Sequence, residues 1–213
     1  MLDETTNNYI ASFFVQAKES ALCLADISTG EVHLFEFNGK DMSTSAINEL
    51  SRFSPVEILI NDAFLSKKDI STFIREKLKA SVQLLEESDF SPLIHTDEVL
   101  KQFSVNSLKS LKIDENSVSA FAVCGLFAYI HETQKALVGR FSTITKHDSD
   151  PIMTIGFTAR RNLEITETLR NKEKKGSLLW VLDHTRTPMG KRLIKSWVEL
   201  PLLSPAKITK RQN

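Results

Sequence analysis

The chain has 213 residues, 41% of them hydrophobic, enough for one or two domains with cores of their own. Lysine plus arginine and aspartate plus glutamate number 27 each, so no global positive field attracts nucleic acid and any such affinity has to be local. Cys23 and Cys124 sit in apolar runs without a C-x-x-C partner, as buried thiols of a reducing compartment do, and the longest apolar run, residues 118–130, falls short of the roughly 20 residues that span a bilayer. With no basic-then-apolar segment at its start, the protein is expected to be soluble and cytoplasmic.

Residues 9–15, 21–27 and 31–37 are rich in aromatic and aliphatic side chains and are separated by short turns at 17–20 and 28–30, which predicts an antiparallel meander. The chain then alternates: a helix over 44–53, a strand over 56–60, a helix over 67–79 and a strand over 82–85. In the second of these helices Ile70, Ile74 and Leu78 lie four apart on one face, with Ser66 available as its N-cap. The signal weakens over 88–112, where 96–103 is the best helical piece. A long helix over 115–135 is apolar nearly all round, so it should be packed on several sides. Residues 141–155, around Pro151, read as two short extended pieces, and the domain boundary is placed here.

From Phe157 onward the chain reads as a helix, a charged break, a short helix, a tight turn and another helix. Ser177 can cap the run 178–182, and Thr187 precedes Pro188, whose missing N–H costs nothing at a first helical position. Pro201 closes that helix. Met189, Leu193 and Trp197 recur every fourth residue, with Ile194 and Val198 on the adjoining row, which predicts a wide stripe buried against neighbouring helices. Ser204 and Pro205 open a last helix that runs to the chain end, and the whole reads as a piece of something longer.

The residues R-N-L-E (Arg161, Asn162, Leu163, Glu164) and I-T-E-T-L, then G-S-L-L-W-V-L-D-x-T-x-T-P-M-G with Trp180, Asp183, Thr185, Thr187, Met189 and Gly190, and R-L-I-K-x-W with Leu193 and Trp197, closely resemble the start of the lever and core region of the MutS family of DNA mismatch-recognition ATPases. One departure is visible: the family usually has Asp where this chain has Gly156, and at an N-cap that exchange costs only a few tenths of a kcal/mol. N-N-Y-I-A (residues 7–11) and A-D-I-S-T-G-E, with Asp26, Thr29 and Gly30, resemble the opening of the family's connector domain, which has an RNase H-like fold. The order of elements, three antiparallel strands and then alternating helices and strands, agrees with that fold.

The resemblance implies an α/β RNase H-like mixed-sheet connector over 1–137, a junction over 138–156, and the first part of a mainly α-helical lever/core domain over 157–213. It implies a mechanical role between the mismatch-binding and ATPase ends, with MutL docking on the connector. It also implies a longer protein that binds mismatched DNA, ATP and Mg and pairs with a second MutS subunit. The family's mismatch reader, with its Phe-x-Glu, and its ATPase domain lie outside this sequence. The motif residues named above are therefore expected to be structural, with no catalytic, cofactor or metal residue in the fragment and no enzymatic activity of its own.

Other residues offer weaker signals of chemistry. Asp26, Glu57 and Asp62 are the carboxylates an RNase H-like nuclease could use, but such a site needs several of them converging on two metal ions. D-I-S-T-G is similar to the D-x-G-T-G phosphate loop of sugar-kinase and actin-like ATPases, with Ser28 where the first glycine should stand, and a hairpin turn is the better account. Gly190-Lys191 is followed by Arg192 and lacks the upstream glycine of a P-loop. The histidines, His33, His95, His131, His147 and His184, show no ligand spacing. Lys172, Glu173, Lys174 and Lys175 read as a solvated loop, as do Lys207, Lys210 and Arg211, and the aromatics Phe13, Phe14, Phe35 and Phe37 as core. A nuclease or phosphotransferase with a helical appendage stands as the alternative, to be recognised by turnover that Asp26→Asn abolishes.

Overall fold

The computed structural model describes residues 8–133, 141–147, 153 and 155–212. The chain divides into two compact units, one spanning Asn7–Asp148 and the other containing Ser149–Asn213. Residues 1–7, 134–140, 148–152, 154 and 213 lie outside the described residues, and with them part of the expected junction.

The first unit is built on a six-stranded mixed sheet. Strands β1 (Tyr9–Gln16), β2 (Glu19–Asp26) and β3 (Glu31–Asn38) form the antiparallel meander, while β4 (Glu57–Ile60), β5 (Ser81–Leu84) and β6 (Thr143–Lys146) add in parallel, giving the order β5-β4-β1-β2-β3-β6. The three long strands are buried almost throughout because both faces are covered, which explains their near-continuous apolar runs in place of alternation.

One face packs on helix α5 (Val118–Thr133), joining Ile10, Phe14, Ala21, Cys23, Ala25, Val32 and Leu34 to Ala122, Val123, Leu126 and Phe127 in a single core. Each valine, leucine, isoleucine or phenylalanine among them contributes about 1.5–3 kcal/mol by leaving water. Gly125 lies where a Cβ would collide with the ring of Phe90, so the glycine, which weakens a helix by about 1 kcal/mol, lets α5 approach helix α3 (Glu87–Phe90). The other face carries Tyr9, Phe13, Phe35 and Phe37, covered by helix α1 (Met42–Phe53) and a 3-10 turn, Asp62–Ser66. Tyr9 meets Phe53 edge-on at 5.0 Å, and Phe13 meets Phe64 at 5.1 Å. The four strand phenylalanines are core, as the sequence suggests.

Three features differ from the sequence reading. Ser66 does not cap helix α2 (Lys68–Phe73, continued by a π turn Ile74–Leu78). Its hydroxyl donates instead to Ala63 O at 2.7 Å, closing the 3-10 turn, and Lys67 holds the cap position without a side-chain bond. The weak stretch 88–112 contains α3, then α4 (Pro92–Phe103), which starts four residues earlier than its apolar pattern suggests because Pro92 takes the first helical position, and a 3-10 turn at Leu108–Leu111. Strand β6 falls in the segment assigned to the junction, yet it pairs with β3 from Thr143↔Glu31 to Lys146↔Leu34 and is part of the sheet. Its four polar and β-branched residues look like linker because an edge strand needs little apolar surface.

The second unit consists of helices α6 (Phe157–Asn162), α7 (Leu178–Leu182), α8 (Pro188–Glu199) and α9 (Pro205–Gln212). Gly156 is the N-cap of α6 and makes no side-chain bond there. Ser177 Oγ accepts from Trp180 N at 3.2 Å and Thr187 Oγ1 from Gly190 N at 3.1 Å, so both sequence-read caps form. The stripe on α8 departs from expectation. No residue of α8 is buried: Met189 is 80% exposed and Leu193 52%, while Trp197 lies under the Arg211 guanidinium at 4.6 Å. Apolar periodicity orients a row of side chains along a helix, but it does not say whether the same chain supplies the surface that covers it.

Candidate functional site

The carboxylates that a nuclease would need are kept apart by the pleat and by strand direction. Asp26 ends β2 opposite Tyr9, on the α1 face of the sheet. Glu57 pairs with Ile10 and so points to the α5 face, where Tyr129 Oη donates to Glu57 Oε1 at 2.8 Å. Asp62 follows β4 and opens the 3-10 turn, at the opposite end of the sheet from Asp26. Among the described residues no three His, Cys, Asp or Glu side chains come together to hold a metal ion.

The D-I-S-T-G stretch is a hairpin turn. Asp26 Oδ1 accepts from Ser28 N at 2.8 Å and from Ser28 Oγ at 2.6 Å, Gly30 N donates to Asp26 O at 2.8 Å, and Gly30 adopts φ 77°. Thr29 Oγ1 accepts from Glu31 N at 3.3 Å. The backbone donors that would cradle a phosphate are spent on the turn itself. Gly190 is occupied in the same way, because its N–H bonds Thr187 Oγ1 and a Cβ on it would lie 3.0 Å from Thr185 Cβ.

The helical motif residues converge on one another. Glu164 takes a left-handed conformation, φ 48°, just after α6. Its Oε1 accepts from Leu169 N at 2.6 Å, and its carbonyl accepts from Leu178 N at 3.0 Å. Ile165 O accepts from Leu179 N at 2.8 Å, so the start of α7 is bonded to the residues that follow α6. At the other end of α7, Asp183 Oδ1 accepts from Thr185 N at 3.1 Å and Thr185 Oγ1 at 2.6 Å, while Oδ2 pairs with Lys174 Nζ. The hydrogen bonds from Lys174 and then Thr185 hold the Asp183 carboxyl well below the usual carboxylate range. Lys174, read as one charge of a solvated loop, thus ties that loop to the corner between α7 and α8. Arg161, Asn162, Leu163 and Trp180 are exposed, as are Met189, Leu193 and Trp197, so of the motif only Glu164, Asp183, Thr185, Thr187 and Gly190 enter these bonds.

Several partnerships were invisible in the sequence. Glu36 Oε1 accepts from Ser119 Oγ at 2.5 Å and Lys146 Nζ at 3.0 Å, tying β3 to α5 and β6. Burial opposes ionisation of this carboxyl, but the Ser119 and Lys146 bonds prevail and its pKa is lowered. His33 Nδ1 lies 3.0 Å from His147 Nε2, across 114 positions of chain. Burial pushes the Cys23 thiol far up and Cys124 to about 12, so neither is a ready nucleophile. No spacing rule signals such pairs, because each joins side chains brought together by the sheet.

A mixed sheet covered by helices, followed by a separate set of short helices joined at polar corners, defines a two-part segment, an α/β unit and a helical one. The description "MutS domain II" matches residues 8–144, and "MutS domain III" matches residues 158–213. Relatives bearing the name DNA mismatch repair protein MutS include those of Clostridium tetani (strain Massachusetts / E88), 38% identical over 100% of this chain, and Ruminiclostridium cellulolyticum, 32% identical over 99%. Staphylococcus aureus (strain JH9) has one 34% identical over 99% of the chain. The chain belongs to the MutS family. It spans about a quarter of the length of these relatives, 23%, 24% and 22% respectively. Among solved structures, T. thermophilus RuvC in complex with Holliday junction substrate is similar at 9% identity, with a TM-score of 0.42 over 60% of this chain and 96% of that one, too distant to bear on function. No described helix is long and apolar enough to cross a membrane.

Proposed function

We propose that this chain is the connector and first lever portion of a cytoplasmic mismatch-repair protein, and that it couples a mismatch-binding end to an ATPase end without doing chemistry itself. The observation that carries this reading is how the polar motif residues are used. Glu164, Asp183, Thr185 and Thr187 spend their hydrogen bonds on neighbouring backbone or side chains at the two ends of α7 and the start of α8, as parts of a rigid corner do. A corner held this way passes on a rotation instead of absorbing it. Mismatched DNA, ATP with Mg, and a second MutS subunit are engaged by the full-length protein, and MutL docks on the sheet unit. Reorientation between the two units is then the motion by which nucleotide state alters the surface offered to MutL, given two orientations within a few kcal/mol.

The test is a disulfide or short crosslink pinning residues 138–156 in the full-length protein. Mismatch affinity should stay within about threefold, roughly 0.7 kcal/mol, while ATP-dependent recruitment of MutL drops strongly. Normal recruitment with the crosslink verified makes the segment a passive linker. MutL association that survives deletion of residues 1–136 removes the docking role.

A further inference from the structure

The outer strand β6 holds to the sheet with little apolar surface. Ile144 is its one apolar residue and packs against the core, while both threonines are exposed. The C-terminal end of the strand is held instead by polar side chains, from both faces of the sheet. On the α5 face Lys146, opposite Leu34 in the ladder, reaches Glu36 at 3.0 Å, and Ser119 of α5 donates to the same carboxylate oxygen. On the α1 face His147 extends the ladder, its N donating to Leu34 O at 2.9 Å, and its ring stacks on Phe35 at 4.3 Å with 5° between the planes. That ring also meets His33, Nε2 to Nδ1 at 3.0 Å.

Two imidazole nitrogens at this distance share one proton. One carries an N–H and the other its lone pair, and this holds whether the pair is neutral or has gained one positive charge. A second added proton sets N–H against N–H and charge against charge, so the contact must open. The surroundings sharpen the difference. Glu31 Oε2, 3.9 Å from His33 Nε2, favours the first proton. Arg52 of α1 lies over Phe53 at 4.2 Å and Phe35 at 5.3 Å and opposes the second, in spite of its pairing with Glu49 at 2.8 Å. Strand β1 contributes the ring of Tyr9, 6.1 Å from that of His33 and uncharged below about pH 9.

We propose that β6 is a detachable strand, and that acid opens its histidine clasp first and so makes the whole strand easier to lift from β3. The closed strand binds one proton fewer than the open one, so opening grows as pH falls through the range in which histidine titrates, about pH 8 to 5. The other clasp lasts to lower pH. Burial opposes ionisation of Glu36, but the bonds from Ser119 and Lys146 keep its pKa lowered. On the function proposed above, on which this consequence rests, a lifted β6 adds its residues to the segment joining the two units and widens the orientations open to them.

Amide exchange in the 213-residue chain, expressed as protection over the intrinsic rate at each pH, tests this. Between about pH 7.5 and pH 5, protection of residues 144–147 should fall about tenfold or more, while that of β1 and β4 holds. His33→Gln and His147→Gln each leave a single ring, and in both the fall should shrink to less than about threefold. Lys146→Met should lower protection of the same amides by a similar factor at both pH values and leave the fall in place. A fall spread evenly over β1, β4 and β6, no fall at all, or a fall kept in full by both glutamine variants overturns the proposal. Recruitment of MutL plays no part in the measurement, so its outcome is separate from that of the coupling function.

Discussion

Asn61 continues the β1–β4 ladder with its side chain: Nδ2 donates to Val15 O at 2.9 Å, and Oδ1 accepts from Val15 N at 3.1 Å. The amide does what the next strand residue would do if β4 ran on, while the main chain turns away into the 3-10 turn. Because Asn61 is buried, Asn61→Ala leaves the donor and acceptor of Val15 dry and unpaired. It should cost about 2–4 kcal/mol in urea unfolding, with the m-value unchanged. Asn61→Asp keeps the acceptor but opposes a buried charge to Val15 O, and should be at least as damaging. A loss under 1 kcal/mol for both variants would falsify the bridging role.

Glu36 makes stability depend on pH in a defined direction. Its folded pKa is lowered, so the folded state favours the carboxylate, and the stabilisation is complete above the unfolded value near 4.5. It is lost as pH falls through the folded pKa. Stability of the chain should therefore decline with acid below about pH 4.5, and Glu36→Gln should flatten that part of the curve more than it changes stability at pH 7. Native-state spectra of β6 should change over the same range, since Lys146 loses its partner.

Gly125→Ala is a helix-favouring exchange that should destabilise. The added methyl meets the Phe90 ring, and overpacking of this kind costs about 1–3 kcal/mol, against a gain of about 1 kcal/mol from helix propensity. Pairing it with Phe90→Leu should recover a large part of the loss. Thermal unfolding of the two single variants and the double variant measures the coupling directly, and simple additivity removes the packing explanation.

Asp183→Ala tests the corner in the full-length protein. It removes the acceptors of Thr185 and Lys174 while leaving the apolar faces of α7 and α8 unchanged. On the function proposed here, mismatch affinity should change little and ATP-dependent recruitment of MutL should fall several-fold. Loss of both in proportion points to misfolding instead.

Duplex DNA should bind the isolated chain weakly and in a salt-sensitive way, without preference for a mismatch. Competition between matched and mismatched duplexes measures this, and a tenfold preference defeats it.

Much of the architecture was legible from local chemistry. Residues 9–38 announce three strands because β-branched and aromatic runs are broken by short turns, and Ser177, Thr187 and Pro188 announce helix starts because caps act over three residues. Such signals are short-ranged, so a linear sequence contains them whole. Gly190 and Asp183 belong to the same category, since their partners lie within a few positions or one loop.

What the tertiary structure decided is whatever depends on which surfaces meet. The sequence offered Asp26, Glu57 and Asp62 as a possible set, and the pleat and strand directions sent them to two faces and two ends. It offered residues 141–155 as short extended pieces at a domain boundary, and pairing with β3 made 143–146 a strand of the sheet. It showed an apolar row on α8 but not its exposure, and it gave no sign that Asn61 would serve Val15 or that His33 would reach His147. Local propensity is written in neighbouring residues, whereas each of these outcomes needs two distant stretches fixed in one register, and only the assembled sheet and its covering helices supply that.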